Sequence, residues 1–296
     1  MPELPEVETL RRALSRTLVG RTITGVEVRL PKVFQPAPGL GTRDVVGARV
    51  EAARRRGKYL VLDLSDGLSL VFHLRLAGQL VLMRDGEVIA AGGHPVPEFG
   101  SPLPHKATHL IFDLDDGSHL YFTDIRRFGF CLLMPTAEVA SYLAEQGLGP
   151  EALSPELTLE GFREVLRQRR AARLKPLLLD QRAIAGLGNI YADEALWLAR
   201  LHPLRTAGSL TPEEQARLYR AIREVLEHAL THGLARVVGG RATPGAGFPR
   251  VHGREGEPCP VCGGPIERIR VDGRSTYFCP RCQQTPHACA STGADC

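Results

Sequence analysis

Tyr59-Leu-Val-Leu-Asp-Leu-Ser-Asp-Gly-Leu-Ser-Leu-Val-Phe-His-Leu74 reads as two strands folded about a turn. Both halves are rich in residues that fill a pleated surface. Asp66-Gly67 between them is a hairpin signal, because Asp and Gly tolerate the positive φ that tight turns require. The same pattern recurs nearby: Gln79-Leu-Val-Leu82 and His109-Leu-Ile-Phe-Asp-Leu114 are further apolar runs, and Asp85-Gly86 and Asp116-Gly117 supply two more turns. From about Thr22 to Met134 the chain therefore reads as an antiparallel sandwich or barrel, interrupted by a Gly/Pro-rich loop from Gly92 to Pro104. Cys131 falls within a strand pattern and reads as a core thiol.

Helical signals flank this region. Val7, Leu10, Leu14 and Leu18 recur at helical spacing from the start of the chain to Gly20, with Pro2 and Pro5 in the first turn and Glu3, Glu6 and Glu8 at the positive end of the helix dipole. Pro135 to Pro155 reads as a connector with one short helix. Helices are then expected over Leu159–Arg173, Gly188–Ala199 and Thr211–His232. Gly239 to Gly247 is too rich in glycine for a regular element, and Gln283 to Cys296 reads as a disordered tail. The fold class is α+β and multidomain. Boundaries are expected at 1–134 for a sandwich, 135–155 for a linker, 156–252 for a helical domain, 253–284 for a small terminal module and 285–296 for the tail.

Composition sets limits on function. The 296 residues are 43% hydrophobic and 24% charged, an ordinary globular balance with room for about two domains and an appendage. No run approaches 18 apolar residues, so no membrane span is expected. The start, Met-Pro-Glu-Leu-Pro-Glu, has acids where a signal peptide carries bases, which points to a cytoplasmic protein. The formal net charge is +4, and only four of the 37 basic residues are Lys. Arginine forks suit phosphate oxygens, although a compositional bias toward Arg on a solvated face would look the same.

Four of the seven cysteines stand as Cys259-x2-Cys262-x16-Cys279-x2-Cys282. Two such knuckles supply four thiolates to one tetrahedral zinc, and the intervening segment is long enough for a hairpin turning at Asp272-Gly273. Four cysteine ligands close the coordination sphere, so one structural, non-catalytic ion is expected. No His-x-Glu accompanies the knuckles, which excludes a nucleobase-deaminase site. Arg274, just past the turn, could enter a groove.

Two further segments carry chemistry. Gly186-Leu-Gly-Asn-Ile-Tyr-Ala-Asp-Glu194 is a glycine-rich turn entering a helix, either a phosphate cradle or a plain helical corner. Proline behind Met1 permits removal of the initiator, which would expose the secondary amine of Pro2. A helix N-terminus disfavours its protonation, and a neutral amine can attack a sugar C1′, with Glu3 and Glu6 as acid and base. Taken alone, the two acids also read as helix caps.

Together these segments resemble the formamidopyrimidine-DNA glycosylase family. The matching runs are Pro2-Glu-Leu-Pro-Glu-Val-Glu-Thr9, Arg56-Gly-Lys-Tyr-Leu60, Asp124-Ile-Arg-Arg-Phe-Gly129, Lys175-Pro-Leu-Leu-Leu-Asp-Gln181, Gly188-Asn-Ile-Tyr-Ala-Asp-Glu194 and Val251-His-Gly-Arg-Glu-Gly256, leading into the four cysteines. The resemblance implies an N-terminal helix and β-sandwich, then a helix-two-turns-helix domain with a zinc finger. It also implies a monomeric enzyme acting on damaged double-stranded DNA. Such an enzyme excises oxidised purines, chiefly 8-oxoguanine and formamidopyrimidines, and cuts the abasic strand by β,δ-elimination. Pro2 then matches the Schiff-base nucleophile, Glu3 the acid at the sugar ring, and Lys58 and Arg274 further catalytic positions. His73, Lys175, Asn189 and Arg274 match phosphate contacts, and His109 and Arg127 match further DNA contacts. Glu6 matches a position near the active site.

Flipping a base leaves a void, which the family fills with Met, Arg and Phe. Arg126 and Phe128 match directly, while the Met position is Leu76 here. Ile125 replaces the usual Pro, and the loop from Gly233 to Phe248, which caps the flipped base in the family, reads as short. Two rivals share parts of this pattern. An endonuclease VIII-like enzyme for oxidised pyrimidines would share Pro2, Glu3 and the zinc finger. A non-catalytic zinc-ribbon protein would explain the cysteines and arginines but not the Pro-Glu start or Lys58.

Overall fold

The computed structural model describes residues 1–232, 237–238, 241–242 and 247–284, and the chain divides into two compact units. The first comprises Met1–Glu151 and Leu226–Phe248, the second Ala152–Val225 and Pro249–Cys296.

In the first unit, α1 (Leu4–Thr17) begins three residues in, because the Glu3 amide is capped by the Glu6 carboxylate at 2.8 Å. Ten strands follow: β1 (Ile23–Val28), β2 (Phe34–Pro36), β3 (Val50–Arg56), β4 (Tyr59–Leu64), β5 (Leu68–His73), β6 (Gly78–Arg84), β7 (Glu87–Gly93), β8 (Thr108–Leu114), β9 (His119–Asp124) and β10 (Phe130–Pro135), then helix α2 (Thr136–Glu145). They form two five-stranded sheets, ordered β1-β8-β9-β6-β7 and β2-β10-β5-β4-β3. The expected antiparallel sandwich has one exception: the three-residue edge strand β2 pairs parallel with β10. The Asp-Gly signals mark real hairpins, with Asp66 and Gly67 at φ 67° and 72°.

The apolar runs of β4 and β5 are continuous because their sheet is covered on both faces. Leu60, Leu62, Leu70 and Phe72 join the core with Val7, Leu10 and Leu14 of α1, whereas Val61 and Val71 pack with Val139 of α2. Cys131 is wholly buried in that core, as expected.

In the second unit, the helix expected to reach Arg173 stops at Gln168 (α3, Leu159–Gln168) and α4 (Leu174–Leu179) starts afresh. The chain leaves the helical region at Arg169 (φ −118°, ψ 33°), and residues 172–174 turn to bond the backbone of 205–207. Pro176 is tolerated in the first turn of the new helix. Helices α5 (Asn189–Leu198) and α6 (Pro212–His232) lie where the periodicity places them. The last turns of α6 belong to the first unit, as do strands β11 (Val237–Val238) and β12 (Arg241–Ala242), which form a short ladder, so part of Gly239–Gly247 is regular after all. Most of the loop expected to cap the flipped base lies outside the described residues. Strands β13 (Glu267–Val271) and β14 (Arg274–Phe278) turn at Asp272-Gly273, as expected.

The tail does not begin at Gln283. That side chain is fully buried, accepting from the Cys279 amide at 2.8 Å and donating to the Leu201 carbonyl at 2.9 Å. Residues 285–296, including Cys289 and Cys296, lie outside the described residues. Among the described residues, no helix is long and apolar enough to cross a membrane.

Candidate active site

The amino terminus of α1 gathers charged groups under cover. Glu3 is 1% exposed, Lys58 7% and Glu6 9%, and Pro2 is buried. The Met1 ammonium is held below its ordinary proton affinity. Burial is the main cause, opposed by Glu3 and Glu6 and assisted by Lys58.

Lys58 follows a turn that is pinned from several directions. Gly57 has φ 57°, and its N–H donates to the Glu151 carboxylate. The Arg55 guanidinium donates to Glu151 at 2.8 and 3.0 Å, to the Gly57 carbonyl at 2.8 Å and to Glu8 of α1 at 3.0 Å. Burial opposes ionisation of Glu8, but hydrogen bonds from Arg11, Arg12 and Arg55 outweigh it and bring its pKa down to about 2. The folded value lies below the unfolded one, so this stability is present above about pH 4.5 and is lost as pH falls through 2. Glu8→Gln is expected to cost on the order of 2–3 kcal/mol at pH 7 and almost nothing near pH 2, measured by urea unfolding at both pH values.

Two neighbouring loops carry the residues expected to fill a helical void. Residues 74–77 join β5 to β6, and 125–129 join β9 to β10. Because His73 pairs with Phe130 and Gly78 with Asp124, both loops cross between the sheets side by side. Leu76 is half-buried on one, while Arg126, Arg127 and Phe128 are exposed on the other. The guanidinium of Arg126 lies 5.4 Å from the centre of the Phe128 ring. Asp124, fully buried, organises this loop by accepting from the amides of Arg126, Phe128 and Gly129 at 2.9, 2.8 and 2.7 Å. Asp124→Asn keeps the volume but weakens these charge-assisted bonds. Denaturant unfolding is expected to show a loss of about 2 kcal/mol, and unchanged stability would refute the anchor.

Two expected DNA contacts are buried in the structure. His109 is 4% exposed beneath the 125–129 loop, its Nε2 2.8 Å from the Asp124 carbonyl oxygen. Lys175 is fully buried, and its Nζ donates to Asp193 at 2.6 Å and to the Asn189 carbonyl at 2.8 Å. Both residues hold other residues in place from behind. His73 stays half-buried against Tyr59 and Phe130. Burial, followed by the charges of Arg75 and Lys58, lowers its pKa to about 3, so the ring is neutral.

In the second unit, Asn189 stands at the first turn of α5, and its Nδ2 donates to the Ser275 carbonyl at 2.9 Å, one residue from exposed Arg274. Asp193, which pairs with Lys175, also meets His252 Nδ1 at 2.7 Å. Glu194 accepts the amides of Arg250, Val251 and His252 at 2.8, 2.8 and 2.9 Å. These buried acids tie α5 to the segment before the hairpin.

The sulfurs of Cys259, Cys262, Cys279 and Cys282 lie within 4.8 Å of one another, with Cys259–Cys282 at 3.9 Å and Cys262–Cys279 at 3.4 Å. A tetrahedron of thiolates about 2.3 Å from zinc has edges of about 3.8 Å, so the set fits. Burial disfavours the Cys259 thiolate. Bonds from the Val261 amide, the Trp197 indole and the Cys262 amide more than offset this and bring the thiol to about 6, whereas burial and the neighbouring sulfurs push the Cys279 and Cys282 thiols up. These four residues hold one structural zinc.

A sandwich with a buried, charge-ringed amino terminus, a helical unit and a zinc hairpin define a two-part DNA-processing enzyme. Three family models match in order: the formamidopyrimidine-DNA glycosylase N-terminal domain over 1–131, its H2TH domain over 148–238, and the zinc finger found in FPG and IleRS over 256–285. The formamidopyrimidine-DNA glycosylase of Pelotomaculum thermopropionicum is 46% identical over 96% of this chain and 99% of its own length. That of Heliobacterium modesticaldum is 47% identical over 96% and 100%. A Lactococcus lactis Fpg bound to N7-benzyl-Fapy-dG DNA superposes with a TM-score of 0.84 at 34% identity, covering 96% of this chain and 100% of that one. A second Lactococcus lactis complex, with abasic-site DNA, gives the same values. The chain belongs to the formamidopyrimidine-DNA glycosylase family and is a DNA glycosylase of the repair class.

Sequence reasoning passed over Asp124, Glu151 and Asp193 as functional groups. Asp124 and Asp193 stood inside quoted motifs, whereas Glu151 acts through contacts that no local spacing reveals.

Proposed function

We propose that the protein excises 8-oxoguanine and formamidopyrimidines from duplex DNA through a Schiff base on Pro2 and then cleaves the strand by β,δ-elimination. The observation that carries this reading is the buried amino end of α1, ringed by Glu3, Glu6 and Lys58. With Met1 removed, the Pro2 nitrogen supplies the electron pair for C1′, and its buried setting favours the neutral form. Glu3, beside it, donates the proton that lets the sugar ring open at O4′. Lys58 neutralises charge at the adjacent phosphate. Leu76, Arg126 and Phe128 enter the void left by the flipped nucleotide, with Asp124 and His109 fixing the loop that carries two of them. Asn189 and Arg274 hold backbone phosphate, and Lys175 sets Asn189 through its carbonyl. The zinc holds the hairpin that carries Arg274.

The test is strand cleavage of an end-labelled duplex with a single 8-oxoguanine opposite cytosine. The expected products are a one-nucleotide gap with phosphate at both ends. Preference for an oxidised pyrimidine over both purine lesions would overturn the substrate reading. Ends bearing an unsaturated sugar as the final product would overturn the δ step.

A further inference from the structure

The 74–77 loop closes as a tight turn. The Gly78 N–H donates to the Leu74 carbonyl at 2.9 Å, and a Cβ on Gly78 would lie 2.5 Å from that oxygen, so only glycine fits there. The neighbouring 125–129 loop also comes close: a Cβ on Gly129 would lie 3.2 Å from the His73 carbonyl oxygen and 2.7 Å from the Phe122 ring.

Arg75, inside the turn, has φ 52°, a left-handed backbone that strains any residue with a β-carbon. Two contacts offset that strain. The Arg75 N–H donates to His73 Nδ1 at 3.0 Å, which leaves the proton of the neutral ring on Nε2. The Arg75 guanidinium lies 5.3 Å from the centre of the Phe130 ring, within range of cation–π attraction. Phe130 opens β10 directly after the 125–129 loop. It is the register partner of His73 and stacks on its imidazole at 5.8 Å and 28°. Tyr59 meets the same imidazole edge-on at 4.5 Å. Arg75 is exposed and has no carboxylate partner among the described residues, so its charge is held by an aromatic face and not by an acid.

Leu76 is the next residue. A turn held at Arg75 by its amide on β5 and its guanidinium on β10 fixes the direction in which Leu76 leaves the backbone. A side chain fixed before insertion loses less conformational freedom when it enters a void. We infer that Arg75 is a positioning residue for base extrusion: its left-handed backbone and its guanidinium on Phe130 hold Leu76 in place to enter the space the base leaves. This inference rests on Leu76 as a void-filling residue, as proposed above.

Arg75→Gln keeps the length of the side chain but removes the charge over the ring. Full-length protein with Met1 removed would be assayed in single-turnover reactions on two duplexes. One carries 8-oxoguanine opposite cytosine. The other carries a preformed abasic site opposite cytosine, where no base has to leave the stack. The variant is expected to excise the lesion about 5-fold more slowly. Its cleavage of the abasic strand should stay within a factor of about 2 of the wild type. In a Phe130→Leu background the same substitution should have no further effect, because the ring that holds the guanidinium is already gone.

An unchanged excision rate overturns the inference, as do equal losses on the two duplexes or a full loss in the Phe130→Leu background. The salt dependence of binding to a tetrahydrofuran abasic duplex should match the wild type. A slope lower by about one would make Arg75 a phosphate contact and also overturn it. Leu76→Ala separates the two readings. If that variant excises the paired lesion at the wild-type rate, the void-filling reading has failed and the inference falls with it. If Leu76→Ala is slow and Arg75→Gln is not, the failure belongs to Arg75 alone.

Discussion

Protein that retains Met1 is expected to lose excision by on the order of 10³-fold or more and to form no covalent adduct with DNA, although it still binds damaged duplex. The terminal α-amine of such a chain is partly buried and also held below its ordinary proton affinity, so reactivity alone would not disable it. Position would. Consecutive residues are about 3.8 Å apart along the backbone, whereas a reacting pair must come within about 3–3.5 Å. An amine displaced by a full residue, with the Met1 acyl group filling the place of C1′, cannot reach the carbon. Met1 retention can be enforced by inserting a bulky residue after it, and intact mass distinguishes the preparations. Comparable single-turnover rates for the two forms would remove Pro2 from the chemistry.

The second large effect concerns the metal. Stripping zinc with a chelator, or Cys279→Ser, is expected to unfold the hairpin and weaken DNA binding by on the order of 100-fold. The hairpin's own apolar support is small: Cys259 and Cys279 are themselves part of the cluster with Trp197, Val251 and Ile266. Four thiolates held this close repel one another when no cation offsets them. Metal binding in comparable free fingers contributes about 10–16 kcal/mol, an upper bound where a hairpin also packs against a helix. Loss of the fold would reach the proposed DNA contacts directly, because Asn189 leans on the Ser275 carbonyl and Arg274 opens β14. Metal content, thermal unfolding and affinity for an abasic-analogue duplex should fall together. Full affinity in metal-free protein would show that the hairpin does not grip DNA.

The sequence was most legible where chemistry is local. Asp66-Gly67 and Asp272-Gly273 announced their turns, Val7, Leu10 and Leu14 announced the buried face of α1, and the cysteine spacing announced the metal. It was least legible where a side chain's role depends on what lies across the fold. Lys175, which the resemblance matches to a phosphate contact, has its ammonium buried on Asp193. His109, matched to a further DNA contact, lies under the Asp124 carbonyl through the pairing of β8 with β9. The break between α3 and α4 depends on backbone bonds between 172–174 and 205–207. No local signal gave away Gln283, whose amide joins the second cysteine knuckle to Leu201, 82 residues earlier.

The central claim is a covalent link between the amino-terminal nitrogen and deoxyribose. Borohydride reduction during reaction with duplex DNA carrying one 8-oxoguanine opposite cytosine, followed by peptide mass mapping, tests it most directly. The account predicts a single adduct at Pro2 in chains that have lost Met1. An adduct on Lys58 or another lysine, or excision with nothing trapped, would contradict it.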